Sequence, residues 1–387
     1  MIYLNCKNSI IGGGVVGLSV AMNLAIANGK GNDICLFESK YLGYGSSLRN
    51  AGRFRVHFGD ENNLEFAVES SKYLNSLSKI TGMNVLFAKT GYLWIASDEA
   101  SYNILKNANS TFKKWGVPLT EIPSEELYKK YKFLRKRNEI ISGFLGKEDG
   151  TIHPDSVIFG MARKCKSLKV NIFEHSNVED ISIRSGKVES IKVNGSKVET
   201  ERVIIANGAW MTFFSEKLGL NLPIEPVRKE ISVTEPFAYR IEPFIVDSSL
   251  HTYVSQTLKG EIIGSTSTGA EPKGLVELGN SFLWLKKYAE RLSRILAGAE
   301  RIRIIRAWSG YYEMTPDRSH VVGRSNDWPE ELYVIGGFSG HGFMLGPLAG
   351  KLMAEYIFTG TMPRLLRPYS PERFKTGKLI NETFVIG

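Results

Sequence analysis

Near its start the chain runs Ser9-Ile10-Ile11-Gly12-Gly13-Gly14-Val15-Val16-Gly17, continues as an apolar helical stretch, and closes a second apolar segment, 33–38, on the carboxylate of Glu38. Strand, glycine turn, helix, strand and acidic end in that order constrain the fold to a βαβ unit with a dinucleotide-binding fingerprint. Gly12 permits the tight turn, Gly14 lets the backbone approach a pyrophosphate, and Gly17 lets helix and strand pack closely. Val15 and Val16 open the helix, whose first amides form an anion site. Glu38 stands where a carboxylate grips ribose hydroxyls.

The 387 residues allow two or three domains, or one large enzyme with an inserted lobe. An apolar share of 43% with charges mixed throughout describes a globular chain with ample core. The formal charge of +9 raises nucleic acid or an acidic partner as binding classes, yet Lys and Arg are spread along the chain. The one dense run, Lys129, Lys130, Lys132, Arg135, Lys136 and Arg137, is interrupted by Tyr131, Phe133 and Leu134 and reads as a solvated amphipathic face, so no nucleic-acid partner is expected. Cys6, Cys35 and Cys165 are too few and too scattered for a disulfide framework or a zinc site, which favours a reducing, cytoplasmic compartment. The histidines stand alone, without metal-ligand spacing, and no metal is expected. The apolar segment 15–27 follows the glycine turn, carries Asn23 and lacks a basic leader, so it is not read as a signal peptide. No other segment approaches the length of a membrane span, which limits any expected membrane contact to a peripheral attachment.

After Glu38, the small-residue and arginine-rich stretch 43–55 is too polar for a core element and reads as an active-site loop. A helix is predicted over 62–79, a strand over 87–96 around Gly91, and a helical, loop-rich region over 99–137 broken by Pro118 and Pro123. Three short β segments, 178–184, 188–193 and 198–206, are joined by Ser185-Gly186 and Asn194-Gly195, both strong tight-turn signals. Residues 225–267 are again strand-like, a helix is predicted near 281–296, and a buried strand over 332–337 leads through a glycine loop into a helix over 345–358. The expected architecture is α/β: a Rossmann-like nucleotide domain from 1–85, 145–224 and 305–387, with a mostly antiparallel substrate lobe from 86–144 and 225–304.

The choice of dinucleotide turns on the C-terminal loop. A nicotinamide enzyme needs nothing resembling its fingerprint near the C-terminus, whereas here Gly336-Gly337-Phe338-Ser339-Gly340-His341-Gly342-Phe343-Met344 opens a second helix. Helix N-terminal amides stabilise developing negative charge, which suits an isoalloxazine carbonyl on reduction, so FAD is preferred to NAD. Ser339 is not read as a hydrolase nucleophile, because His341 occupies the position where a nucleophile elbow requires its second glycine.

With these motifs the chain resembles the FAD-dependent amino-acid oxidoreductases of the D-amino-acid oxidase superfamily, especially sarcosine oxidase β-like subunits and dye-linked proline dehydrogenase β subunits. The resemblance extends over nearly the whole chain. It rests on Gly12 to Gly17, on Gly45-Ser46-Ser47 with its arginines, and on His251-Thr252-Tyr253-Val254-Ser255-Gln256. It rests also on Trp308-Ser309-Gly310-Tyr311-Tyr312-Glu313-Met314-Thr315-Pro316-Asp317 and on the loop Gly337 to Phe343. It implies oxidation of a small or secondary amino acid of proline, sarcosine or glycine type at the C–N bond, with hydride passing to the flavin and an imine as product.

A substrate carboxylate calls for an arginine that can donate two parallel hydrogen bonds. Arg49, Arg53 and Arg55 lie on the loop that similar enzymes place near flavin and substrate; Arg55 is assigned to the substrate and Arg53 to the flavin edge. Tyr312 matches a tyrosine that lines the substrate pocket, Tyr253 is its second wall, and His341, ahead of His57 and His251, is the histidine placed to tune the site. The resemblance extends the cofactor set to Ser46, Ser47, Val178, Gly208, Trp210, Gly310, Gly340, His341, Gly342, Phe343 and Met344.

Monomeric relatives attach flavin through a cysteine where this chain has Gly310, so FAD is expected to be noncovalent. Where they carry a lysine after the Gly-Phe of the C-terminal loop this chain has Met344, which lacks a cation and points toward a dehydrogenase. Similar β subunits work in complexes with a partner subunit and a second flavin, FMN, and His153 lies near a segment where some carry it covalently. The alternatives are an FAD-dependent 2-hydroxy acid dehydrogenase and a noncatalytic FAD-bearing assembly subunit. Lys7, Asn8 and Ser9 make the first strand unusually polar, which leaves its length open.

Overall fold

The polar residues Asn8 and Ser9 stand inside the first strand because their side chains have partners. Cys6–Ile11 pairs in parallel with Ile34–Phe37 on one side and Ser196–Ile205 on the other, Ser9 Oγ donates to Thr200 Oγ1 at 2.9 Å, and Arg202 donates to Asn8 Oδ1 at 2.9 Å. In this computed structural model, which describes residues 6–384, that strand sits centrally in a sheet ordered 321–323, 332–336, 196–205, 6–11, 34–37, 171–173. Pairing along this order is parallel except at the 321–323 edge, and strands 187–193 and then 178–184 add antiparallel onto 196–205; apolar residues of the central strands are buried in clusters on both faces.

The helix Val15–Ala27 leaves Gly14 and packs against the C-terminal helix Gly342–Thr359. Ser19 Oγ donates to the Pro347 carbonyl at 2.6 Å, and a Cβ on Gly350 would lie 2.6 Å from Ser19 Cβ, so only glycine allows this approach. The helix begins at Gly342, three residues before the expected start, because Gly342 and Phe343 already adopt helical backbone. Its free N-terminal amides therefore reach further toward the cleft. The hairpins turn where expected: Ser185 and Gly186 take φ of 50° and 78°, Asn194 and Gly195 46° and 80°.

The second sheet has eight strands in the order 304–314, 225–236, 261–266, 252–256, 244–247, 92–96, 142–146, 119–123, and is antiparallel except for the pair 244–247 and 92–96. The strand expected over 87–96 is confined to Tyr92–Ala96, because Gly91 at φ +86° turns the chain just before it. Leu119–Pro123 and Ser142–Gly146 have no strand signal long enough to read. Pro154–Ser167 is a further helix. Ile304–Met314 pairs with Glu225–Pro236 and so joins this sheet; a division into nucleotide unit and lobe is accordingly proposed near 314, not 305.

One expectation from the cysteines fails. Cys6 and Cys35, on neighbouring strands, are joined in a disulfide with Cα atoms 5.6 Å apart, while Cys165 is free and buried. The crossover between the two strands returns residues 29 apart in sequence to one place, which spacing alone does not reveal. The cysteine argument for a reducing compartment therefore lapses. Among the described residues no helix is long and apolar enough to cross a membrane.

Candidate active site

Two cavities share Val16, Ser46, Ser47, Glu313 and Phe338 as lining, so one cleft runs from Glu38 between the sheets to Arg55. The outer half is bounded by Gly12, Gly14, Glu38, Val178, Gly208 and Trp210. Gly12 has φ +111°, and a Cβ there would lie 2.5 Å from the Ala206 carbonyl oxygen. Gly17 lines neither half: its Cβ would lie 2.0 Å from the Gly12 oxygen, so its part is the helix–strand contact. Glu38 Oε2 accepts from the Gly13 N–H at 2.8 Å and Oε1 from the Lys40 N–H at 2.9 Å, which fixes the carboxylate at the end of its strand. Ser47 Oγ accepts from the Val15 N–H at 2.9 Å, capping the helix where an anion would sit. A glycine-walled cleft with a helix N-terminus at its middle and a fixed carboxylate at its end fits an extended dinucleotide.

The inner half is walled by Arg49, Arg53, Arg55, Tyr92, Tyr253, Gly310, Tyr312, Gly340, His341, Gly342, Phe343 and Met344, with Val15 at its base. Arg53–Phe54 is a short strand against Gly150–Thr151, which fixes the loop as it enters the cavity. Arg53 donates to Thr90 Oγ1 at 3.2 Å, to Ser255 Oγ and to the Gln256 carbonyl; burial lowers its pKa to about 10, so it stays charged at neutral pH. Arg49 is tied to the Tyr44 carbonyl at 3.0 Å and the Ser309 carbonyl at 3.4 Å. Arg55, 2% exposed, donates to the carbonyls of His57 and Phe384, and its guanidinium lies 4.1 Å from the centre of the Phe58 ring.

The contact between Arg55 and His341 Nε2, 3.0 Å, settles the histidine's form. Arginine only donates, so Nε2 accepts and the imidazole is neutral, with its proton on Nδ1. Burial and the neighbouring guanidinium both press its pKa well below the usual range. Tyr312 packs on Gly340, whose Cβ would lie 2.5 Å from the ring and whose φ is +91°. Burial raises the Tyr312 phenol to about 12 and those of Tyr253 and Tyr92 further, so all three are neutral at pH 7. The inner cavity thus offers cations and neutral aromatic walls. Ser339 lines neither half; it is buried at φ 51° and accepts from the Thr315 N–H at 3.1 Å, as its rejection as a nucleophile requires.

Glu313 stands where the two halves meet; it falls within the segment 308–317 that carries the resemblance, but the sequence assigns it no role. It accepts from the Gly337 N–H at 2.7 Å, and burial raises its carboxyl to about 7, against the opposing pull of the Gly337 and Phe338 amides. With a folded value above the ordinary 4.5 of a glutamate, its stabilisation is complete below 4.5 and is lost as pH rises through about 7. The shift corresponds to about 3 kcal/mol. Glu313→Gln should therefore flatten the decline in stability of the flavin-free protein between about pH 4.5 and 8, read as the difference between the thermal unfolding profiles of variant and wild type. Parallel profiles would exclude Glu313 as the titrating group.

Of the residues assigned above to substrate and FAD, all but Gly17 line the cleft, whereas the three lesser histidine candidates do not. His251 is exposed in the turn before Thr252–Gln256, at φ 45°. His57 lies behind the wall, buried between Asp149 and the Val117 carbonyl. His153 precedes the helix Pro154–Ser167, makes no side-chain hydrogen bond to its first turn, and lines neither half. The Met344 argument also needs correction, since Lys229 lines the same cavity 5.8 Å from the centre of the Tyr312 ring. A missing lysine at 344 therefore does not make the cavity free of cations. Lys229 was illegible in sequence because it is one cation in an alternating strand.

A family model described as "FAD dependent oxidoreductase" matches residues 9–356. The sarcosine oxidase subunit beta of Rhodobacter capsulatus is 24% identical over 385 residues, covering 98% of this chain and 91% of that protein. The subunit beta of Rhizobium meliloti is 26% identical over 377 residues, covering 96% and 89%. The crystal structure of L-proline dehydrogenase from P. horikoshii superposes with a TM-score of 0.89 at 29% identity, covering 97% of this chain and 99% of that one.

Proposed function

The chain belongs to the FAD dependent oxidoreductase family, and on that premise we propose that it oxidises a small or secondary amino acid, of proline, sarcosine or glycine type, at the C–N bond. The observation that carries this reading is Arg55, a buried cation without a carboxylate among its hydrogen-bond partners, set in an aromatic cavity continuous with the dinucleotide cleft. FAD, when bound, supplies the hydride acceptor. Arg55 holds the substrate carboxylate, Tyr312 and Tyr253 enclose its side chain, and Arg53 orders the loop at the flavin edge. His341, its Nε2 occupied by Arg55, is neutral and so adds no positive charge of its own beside the substrate amine. The names of the sarcosine oxidase relatives support work beside partner subunits, and an FMN at such an interface belongs to that arrangement.

The cofactor is held without a covalent bond in this reading, because Gly310 offers no nucleophile. Acid precipitation should release FAD completely into the supernatant; flavin retained on the pelleted chain would overturn it.

Anaerobic titration of the yellow protein with proline, sarcosine, glycine and 2-hydroxy acids tests the substrate class. Bleaching by an amino acid is expected; bleaching by a hydroxy acid alone would select the 2-hydroxy acid dehydrogenase, and none at all the assembly subunit. Electrons pass to a non-oxygen acceptor in this reading, supported by the likeness to the L-proline dehydrogenase structure rather than by Met344. The bleached protein should then recolour slowly in air and quickly with an artificial dye, whereas rapid hydrogen peroxide formation would make it an oxidase.

A further inference from the structure

Each side-chain hydrogen-bond partner of Arg55 is an uncharged acceptor: the His57 carbonyl, the Phe384 carbonyl, and neutral His341 Nε2. Neutral acceptors satisfy N–H groups without cancelling the charge, whereas a bound protein carboxylate would compete with a substrate for the same guanidinium. Burial works against the charge, and the Glu382 carboxylate is foremost among the groups that oppose burial through space.

One of those acceptors comes from the far end of the chain. Glu382, 4% exposed, accepts from the N–H of Gly59 at 2.9 Å, from Asn63 Nδ2 at 2.9 Å and from the N–H of Phe384 at 2.7 Å. A single carboxylate thus ties residues 380–384 to the segment that joins the arginine loop to the helix Glu61–Thr81. The Phe384 ring meets Trp94 and Phe112 edge-on, with centroids 5.7 and 5.9 Å apart. Gly59 leaves the space for this: its Cβ would lie 2.3 Å from Thr383 Oγ1.

We propose that residues 380–384 are a working part of the substrate site, in which Glu382 is a positioning residue that holds the Phe384 carbonyl so that Arg55 is aimed and keeps its charge free for an incoming carboxylate. An arginine fixed in one rotamer before binding loses little freedom when the ligand arrives, so disorder in this segment is felt as affinity. The inference rests on reading Arg55 as the carboxylate-binding group.

The test uses the FAD-loaded full chain, Glu382→Ala, Glu382→Gln, a chain ending at Ile380, and Arg55→Met as reference. The probe is pyrrole-2-carboxylate, a flat carboxylate without an oxidisable C–N bond, titrated by its perturbation of the flavin absorbance. Glu382→Ala and the shortened chain should raise its dissociation constant roughly tenfold, as loss of a charge-assisted contact would. FAD content should hold, and the rate of flavin reduction at saturating amino acid should fall far less than affinity. Glu382→Gln, which keeps an acceptor for the Phe384 N–H, should recover most of the binding. Wild-type affinity in Glu382→Ala overturns the inference even if the shortened chain does not fold. If Arg55→Met weakens the probe and the Glu382 variants do not, only this inference falls; if Arg55→Met binds it normally, the reading of the site falls with it.

Discussion

Replacing Arg55 with methionine should raise the substrate concentration needed for flavin reduction by roughly tenfold to a hundredfold while FAD content changes little. A charge-assisted hydrogen bond to a carboxylate contributes about 1.5–3 kcal/mol, and a second parallel bond adds to it. Methionine keeps the apolar packing against Phe58, so the loss falls chiefly on the charge. It also removes the donor from the His57 and Phe384 carbonyls and from His341 Nε2, and the variant should melt below the wild type. Anaerobic titration followed by flavin absorbance measures the first effect, and the flavin-to-protein ratio separates it from cofactor loss. An unchanged titration would transfer the carboxylate to Arg53 or Arg49.

Asp149→Ala should cost roughly 3–5 kcal/mol of stability, because two buried donors lose their acceptor at once and each costs about 1–3 kcal/mol. Asp149 Oδ1 accepts from the Val56 N–H at 2.7 Å, and Oδ2 lies 2.7 Å from His57 Nδ1, with both side chains wholly buried. A Cβ on Gly146 would lie 2.3 Å from that oxygen, so the site has little room for a replacing water. Since Val56 and His57 follow Arg55 directly, the same change should loosen the substrate loop. Urea unfolding followed by tryptophan fluorescence measures the cost; a loss below about 1 kcal/mol would mean that the site relaxes to re-pair its donors.

The fingerprint and the hairpins were legible because their causes are local. A tight turn at φ +111° selects Gly12, paired left-handed residues select Asn194-Gly195, and an apolar run after a glycine turn reads as the helix Val15–Ala27. The C-terminal loop was legible for the same reason, since glycine spacing and a following helix are properties of a few consecutive residues. Short strands such as Leu119–Pro123 were not, because five residues against a twisted sheet carry too little periodicity.

What only the tertiary structure decided depends on residues that the chain's path brings together from far apart. Cys6 meets Cys35 because a crossover returns the chain to the neighbouring strand, and Ile304–Met314 joins the second sheet because Glu225–Pro236 lies beside it. Glu313 matters through its burial at the meeting of two cavities, a property no spacing records. Arg55 was visible as an arginine in a polar loop. That its guanidinium is held by the carbonyl of Phe384, 329 residues away, follows from how the C-terminal segment packs, and this is where backbone sterics and hydrophobic period end and long-range packing begins.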